Sequence, residues 1–117
     1  GTGYVGWQVQ PNGTSIQAVV QSAVATLVGH SAHVTGSGRT DSGVHALAQT
    51  AHFATETPLD LKKALRSLNA LLPCDIRISL IAPAPAHFHP RYSATSKVYR
   101  YHLCLKPVQP PFRRLYA

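Results

Sequence analysis

The sequence predicts an α+β domain of the ferredoxin-like kind, an open antiparallel sheet with two helices on one face, and three observations carry this. Two segments repeat apolar residues at helical spacing, while the segments around them are rich in strand formers or alternate with period two. The resulting order is strand, helix, strand, strand, helix, strand, with a further strand at the end, which is the split β-α-β pattern. An apolar share of 44% in 117 residues is enough to build one core without staples.

Taken in order, Gly3 to Val9 is rich in strand formers and stops at the turn signal Pro11-Asn12-Gly13. Thr14 stands three residues before Gln17, the capping-box spacing, and Ile16, Val19, Val20, Ala23 and Leu27 repeat at helical intervals up to Gly29. Ala32 to Thr35 reads as a short strand running into the glycine-punctuated segment Gly36 to Gly43, and Leu47 to Phe53 as the next strand. The second helix is expected from Thr57 as N-cap, Pro58 in the first turn and Asp60 near the positive end, with Leu61, Ala64, Leu65, Leu68 and Leu72 on one face and Pro73 as its stop. Ile76 to Ile81 gives another strand, and Pro83 to Pro90 an irregular connection. Val98 to Leu105 alternates, with Tyr99, Tyr101, Leu103 and Leu105 on one face and Val98, Arg100, His102 and Cys104 on the other. Residues 1–105 are thus expected to form the domain, and residues 106–117, with three prolines and two arginines, a linker or the entry to a following unit.

Charge narrows the function classes. Only 13% of residues are charged, about half the globular average of roughly 25%. Four acids face eleven Lys and Arg, a net charge of +7 that points to a polyanion, either nucleic acid or an anionic membrane surface, or else to a basic surface with no partner. No apolar run approaches the roughly 18 residues of a membrane span, and no signal core follows the N-terminus, so a soluble intracellular protein is the default expectation. Cys74 and Cys104 do not have zinc-site spacing and are expected as buried free thiols. The absence of Met leads us to expect a fragment.

With so few acids, the candidates for a catalytic carboxylate can be sorted one by one. Asp60 is explained by the helix dipole, Glu56 by solvation in a turn, and Asp75 by an Asx-type turn after Pro73. Asp41 differs: Gly36, Gly38 and Gly43 surround it and Arg39 stands two residues away. Glycines let backbone approach a ligand, and a nearby guanidinium favours the ionised carboxylate. The alternative is a tight turn with an internal Arg39–Asp41 contact. Elsewhere, His87 and His89 are spaced for a metal or for phosphate contact, and without a neighbouring Cys or acid the phosphate is favoured. Trp7 is placed either stacked on RNA or buried, and Tyr99 either at a site or as a strand aromatic in the core.

Gly38-Arg39-Thr40-Asp41-Ser42-Gly43-Val44-His45-Ala46 closely resembles the catalytic loop of the TruA-type family of tRNA pseudouridine synthases. Gly1-Thr2-Gly3-Tyr4-Val5-Gly6-Trp7-Gln8, Thr14-Ser15-Ile16-Gln17 and Phe88 to Tyr101 are similar to further family segments, in the family's order, so the resemblance spans nearly the whole chain. It implies the N-terminal half of the pseudouridine synthase fold, an RRM-like sheet, and an enzyme that isomerises uridine to pseudouridine in the anticodon stem-loop of tRNA. By match, Asp41 is the nucleophile, Arg39 fills the space left by the extruded base or pairs with the acid, and Tyr99 stacks on the uracil and helps remove the C5 proton. His45 supports the loop, and Arg91, Lys97 and Arg100, with Arg113 and Arg114, lie along the RNA path. No cofactor or metal is implied. The partners implied are tRNA and, in the full-length protein, a second copy in a homodimer, with no membrane, in the cytoplasm. The family's catalytic domain continues into a second half that supplies another wall of the cleft, so an exposed apolar edge is expected here. Two other readings are a non-catalytic RNA-binding module of the same fold and a metal-dependent hydrolase using His87 and His89.

Overall fold

A computed structural model describes residues 1–117. Helix α1 spans Ile16–Val28 and helix α2 Leu61–Leu71. Between them, β1 (Thr35–Gly36) pairs antiparallel with β2 (Ala51–His52), Thr35 opposite His52 and Gly36 opposite Ala51. A single 3-10 turn, Pro111–Arg113, lies near the C-terminus. The architecture is therefore α+β, two helices and a small antiparallel sheet.

Both helices form where periodicity places them, with caps shifted. Ser15, not Thr14, is the N-cap of α1: its backbone is extended and its Oγ accepts from Ala18 N at 3.1 Å, the bond that satisfies an otherwise orphaned donor. Gln17 forms no capping box, because its amide is used elsewhere. Gly29 closes the helix in the left-handed region at φ 77°, its N–H donating to Ala25 O at 2.9 Å. In α2 the cap is Asp60, whose Oδ1 accepts from Lys63 N at 3.3 Å, so Thr57 and Pro58 lie before the helix. A carboxylate at the N-cap gains both the hydrogen bond and the helix dipole, which a threonine three residues earlier cannot match.

The core joins Val20, Ala23, Val24 and Val28 of α1, Leu68 of α2 and Leu72 at its end to Tyr4, Trp7, Val34 and Ile76. On α1 the deepest stripe is rotated from the expected one: Val24 and Val28 are buried while Ile16, Val19 and Leu27 are only half-buried. The helix is apolar on nearly every face, so spacing alone leaves its orientation open.

The strands are fewer than the alternation suggests. Segments 3–9, 76–81 and 98–105 form no strand, and 32–34 and 47–50 stay outside the ladder apart from one bond, Ser37 N to Thr50 O at 2.8 Å. A strand exists only where a neighbouring backbone runs alongside in register; residues 3–9 bond to the loop and to the start of α1 instead, Val34 and Ile78 are met by side chains, and the backbone of 98–105 has no partner. Asn69 of α2 pairs its amide with Ile78, donating to the carbonyl at 2.9 Å and accepting from the N–H at 2.8 Å, as a strand neighbour would. Gln17 accepts from Val9 N at 3.0 Å and donates to Val34 O at 2.9 Å, while Gln21 accepts from Val34 N at 3.1 Å. Neither cysteine is buried as expected: Cys74, in the turn after α2, is exposed and Cys104 half-buried, both as free thiols. No helix is long and apolar enough to cross a membrane.

Candidate active site

The loop from Ser37 to Thr50 leaves β1 and returns to β2, and its first half is held by the N-terminal segment, by Lys97 and by its own Gln49. The N-terminal segment lies beneath it. Gly6, at φ 103°, packs so closely that a Cβ there would overlap the Thr40 carbonyl oxygen and stand 3.1 Å from the carbonyl carbon of Asp41. Trp7 N donates to Thr40 O at 3.1 Å, and Tyr4 O accepts from Gly43 N and from Ser42 Oγ, both at 3.2 Å. The same segment turns its other carbonyls to α1, where Gly6 O and Trp7 O accept from Ile16 N and Gln17 N at 3.1 and 3.0 Å. The loop is thus fastened through residues 4–7 to the free N–H groups at the start of a helix.

Within the loop, Val44 N donates to Asp41 O at 3.2 Å, closing a β-turn whose third residue, Gly43, has φ 79°. Only glycine adopts that conformation without strain, which explains why glycine follows Ser42. Asp41 and Arg39 both project into solvent from this held backbone. They form no ion pair with one another, so the internal contact considered above does not explain their presence.

The other acids are accounted for differently from Asp41. Asp60 caps α2. Asp75 accepts a hydrogen bond from the Tyr4 hydroxyl at 2.7 Å, which replaces the expected Asx turn. Burial first, then that bond and the Asp75 charge, push the Tyr4 hydroxyl pKa up to about 12. Glu56 lies exposed in the turn before α2.

The remaining residues singled out in the sequence stand in different surroundings. Trp7 is 6% exposed, with its indole packed against Gly36, where a Cβ would stand 2.6 Å from the ring; of its two readings, the packed one describes its position. Lys97 reaches the loop, its Nζ donating to Ser37 O at 2.9 Å. Tyr99, two residues on, is 63% exposed, and Arg91 and Arg100 are exposed as well. His45 engages the C-terminal segment, its Nε2 2.9 Å from Leu115 O and its ring 4.8 Å from that of Tyr116. His89 folds its own loop: Nδ1 accepts from Arg91 N and Tyr92 N at 3.1 and 3.2 Å, and its ring stacks on Tyr92 at 4.4 Å. No group of three or more His, Cys, Asp or Glu is arranged to hold a metal ion.

Sequence reasoning passed over Tyr4, Gly6 and Gln49. The Gln49 amide accepts from Ser37 Oγ at 2.8 Å and donates to Gly38 O at 2.7 Å. A glutamine in a run of small and apolar residues gives no periodic signal. The glycine at position 6, inside a segment otherwise made of strand formers, was the one legible hint of close backbone approach.

The family model described as tRNA pseudouridine synthase matches residues 1–93. Over 118 aligned residues the chain is 50% identical to tRNA pseudouridine synthase A 1 of Protochlamydia amoebophila, covering 100% of this chain and 46% of that protein. It is 45% identical to tRNA pseudouridine synthase A of Citrifermentans bemidjiense, covering 98% of this chain and 46% of the relative. With the Chlamydia felis protein of the same name it shares 46% identity, covering 100% of this chain and 45% of the relative. The chain spans about half the length of the curated relatives it matches.

Proposed function

The chain belongs to the tRNA pseudouridine synthase family, and from that premise we propose that it isomerises uridine to pseudouridine in the anticodon stem-loop of tRNA, with Asp41 as nucleophile. One observation carries the reading. Asp41 is exposed on a loop whose backbone is fastened on both sides, whereas Asp60 and Asp75 are bound in structural roles. A carboxylate without a structural task, on a backbone held by hydrogen bonds, is what attack on an extruded nucleotide requires.

The reaction breaks the bond from the uracil nitrogen to the ribose, turns the base, and forms the bond from C5 to the same ribose carbon, with loss of the C5 proton and gain of one at the released nitrogen. No electron leaves or enters, so the chemistry needs no redox cofactor. Arg39, on the same turn, fills the space left by the flipped base or pairs with the acid, and Tyr99 stacks on the uracil and assists departure of the C5 proton. Support for including Tyr99 comes from Lys97, which ties its segment to the loop. Arg91 and Arg100, with the net charge of +7, supply phosphate affinity without sequence specificity. The finer fold proposed for the full-length protein is a ferredoxin-like, RRM-like sheet in which residues 1–105 take part, followed by a linker at 106–117. The family resemblance is the ground for placing the full-length protein in the cytoplasm as a homodimer.

Asp41→Asn in the full-length protein tests the reading by tritium release from C5-labelled uridine in tRNA. Turnover is expected to fall on the order of 10⁴-fold or more, the scale of removing a covalent nucleophile, while tRNA affinity is retained. Turnover that survives the substitution refutes the assignment.

A further inference from the structure

Two consecutive carbonyls lead into the Arg39–Asp41 turn, and each is gripped by a side chain from another part of the chain. Ser37 O accepts from Lys97 Nζ at 2.9 Å, and Gly38 O accepts from the Gln49 amide at 2.7 Å. The Gln49 amide is itself oriented by Ser37 Oγ at 2.8 Å, and Ser37 N donates to Thr50 O at 2.8 Å. Peptide planes 37–38 and 38–39 are therefore fixed by donors on both. Gly38 is also where the ammonium lies over the backbone: a Cβ there would overlap Lys97 Nζ and stand 3.3 Å from its Cε. A charged donor makes the stronger kind of hydrogen bond, and an ammonium spent on a carbonyl is turned away from a phosphate.

We propose that Lys97 and Gln49 form a carbonyl clamp that sets the direction in which Arg39 and Asp41 leave the loop, so that Lys97 is a positioning residue rather than a phosphate contact. The proposal rests on the reading of Asp41 as nucleophile. It also explains how residue 97 communicates with residue 37 across sixty positions of sequence: the clamp couples the segment bearing Tyr99 to the turn bearing Asp41. A misplacement of about 1 Å at such a turn costs on the order of 10²-fold in rate.

Lys97→Met, which keeps the stem and removes the donor, is the first test, made in the full-length protein. The clamp predicts that kcat falls on the order of ten- to a hundred-fold, with KM for tRNA and the salt dependence of tRNA binding unchanged. A phosphate contact predicts the opposite: kcat kept, weaker binding, and a slope of log K against log salt reduced by roughly 0.7 to 0.9. That second result overturns the proposal, as does a variant unchanged in both. Gln49→Met removes the other donor and should reproduce the kcat defect. Gly38→Ala, which displaces the ammonium, should do the same and add little to Lys97→Met, because both break one contact. Amide hydrogen exchange at Ser37, Gly43 and Val44, the amides of the loop that donate hydrogen bonds, reads the clamp without reference to turnover. Faster exchange in Lys97→Met upholds it even if Asp41→Asn leaves activity intact, and unchanged exchange refutes it even if Asp41 is the nucleophile.

Discussion

Tyr4 ties three parts of the chain through one residue: its hydroxyl donates to Asp75, its carbonyl accepts from Ser42 and Gly43, and its ring lies in the core. The fold holds its proton, raising the pKa from 10.0 to about 12. Because the folded value lies above the unfolded one, the unfolded chain binds fewer protons between these limits, and stability falls as pH rises. The contribution is complete below pH 10 and is lost as pH climbs toward 12. Urea unfolding at pH 9 and at pH 11.5 should show a loss for the native sequence that Tyr4→Phe largely removes, while Tyr4→Phe itself costs about 1 kcal/mol at neutral pH from the missing hydrogen bond. An equal alkaline loss in both proteins would assign it to other groups. Asp41 stands out as a candidate in the sequence because acids are scarce and glycines surround it, and the structure shows it exposed. Tyr4, Lys97 and Gln49 do not stand out in these roles, because a hydrogen bond from a side chain to a distant carbonyl leaves no trace in spacing.

Side chains standing in for strand neighbours set the stability of the elements. Gln17 is 4% exposed on α1 and satisfies Val9 N and Val34 O together. Gln17→Met conserves volume but strands both backbone groups, and should cost about 2–3 kcal/mol by urea denaturation, more than the ~1 kcal/mol expected of Ser15→Ala at the cap. A cost for Gln17→Met at or below that of Ser15→Ala would show that water reaches those groups. The same contacts explain what was legible at this scale. Helices α1 and α2 follow from local spacing because their hydrogen bonds close within four residues, and only the caps and the buried stripe of α1 moved. Segments 76–81 and 98–105 have strand composition, but pairing depends on a partner that local sequence does not name. Asn69 occupies Ile78, and nothing pairs with the backbone of 98–105.

At the scale of the whole molecule, that unpaired segment governs the surface. The radius of gyration is 16.0 Å, against about 13 Å for a compact chain of this length. The accessible area is 8910 Å², against about 6,200 Å² for a compact monomer of 12.6 kDa. Val98, Tyr101, Leu103 and Leu105 are among the large apolar side chains left in solvent, with Leu105 91% exposed. An extended, apolar, unpaired segment offers both backbone hydrogen bonds and apolar area to any similar edge. The 117-residue chain by itself should therefore associate, with a sedimentation coefficient that rises with concentration across the micromolar range. Replacing Leu103 and Leu105 by Asp should abolish this without lowering the thermal midpoint, since neither residue belongs to the core formed by α1, α2, Tyr4, Trp7, Val34 and Ile76. The net charge of +7 opposes association, so raising salt should strengthen it in the native sequence. A concentration-independent coefficient at high salt would mean that the segment folds back on its own chain in solution, and would refute the association.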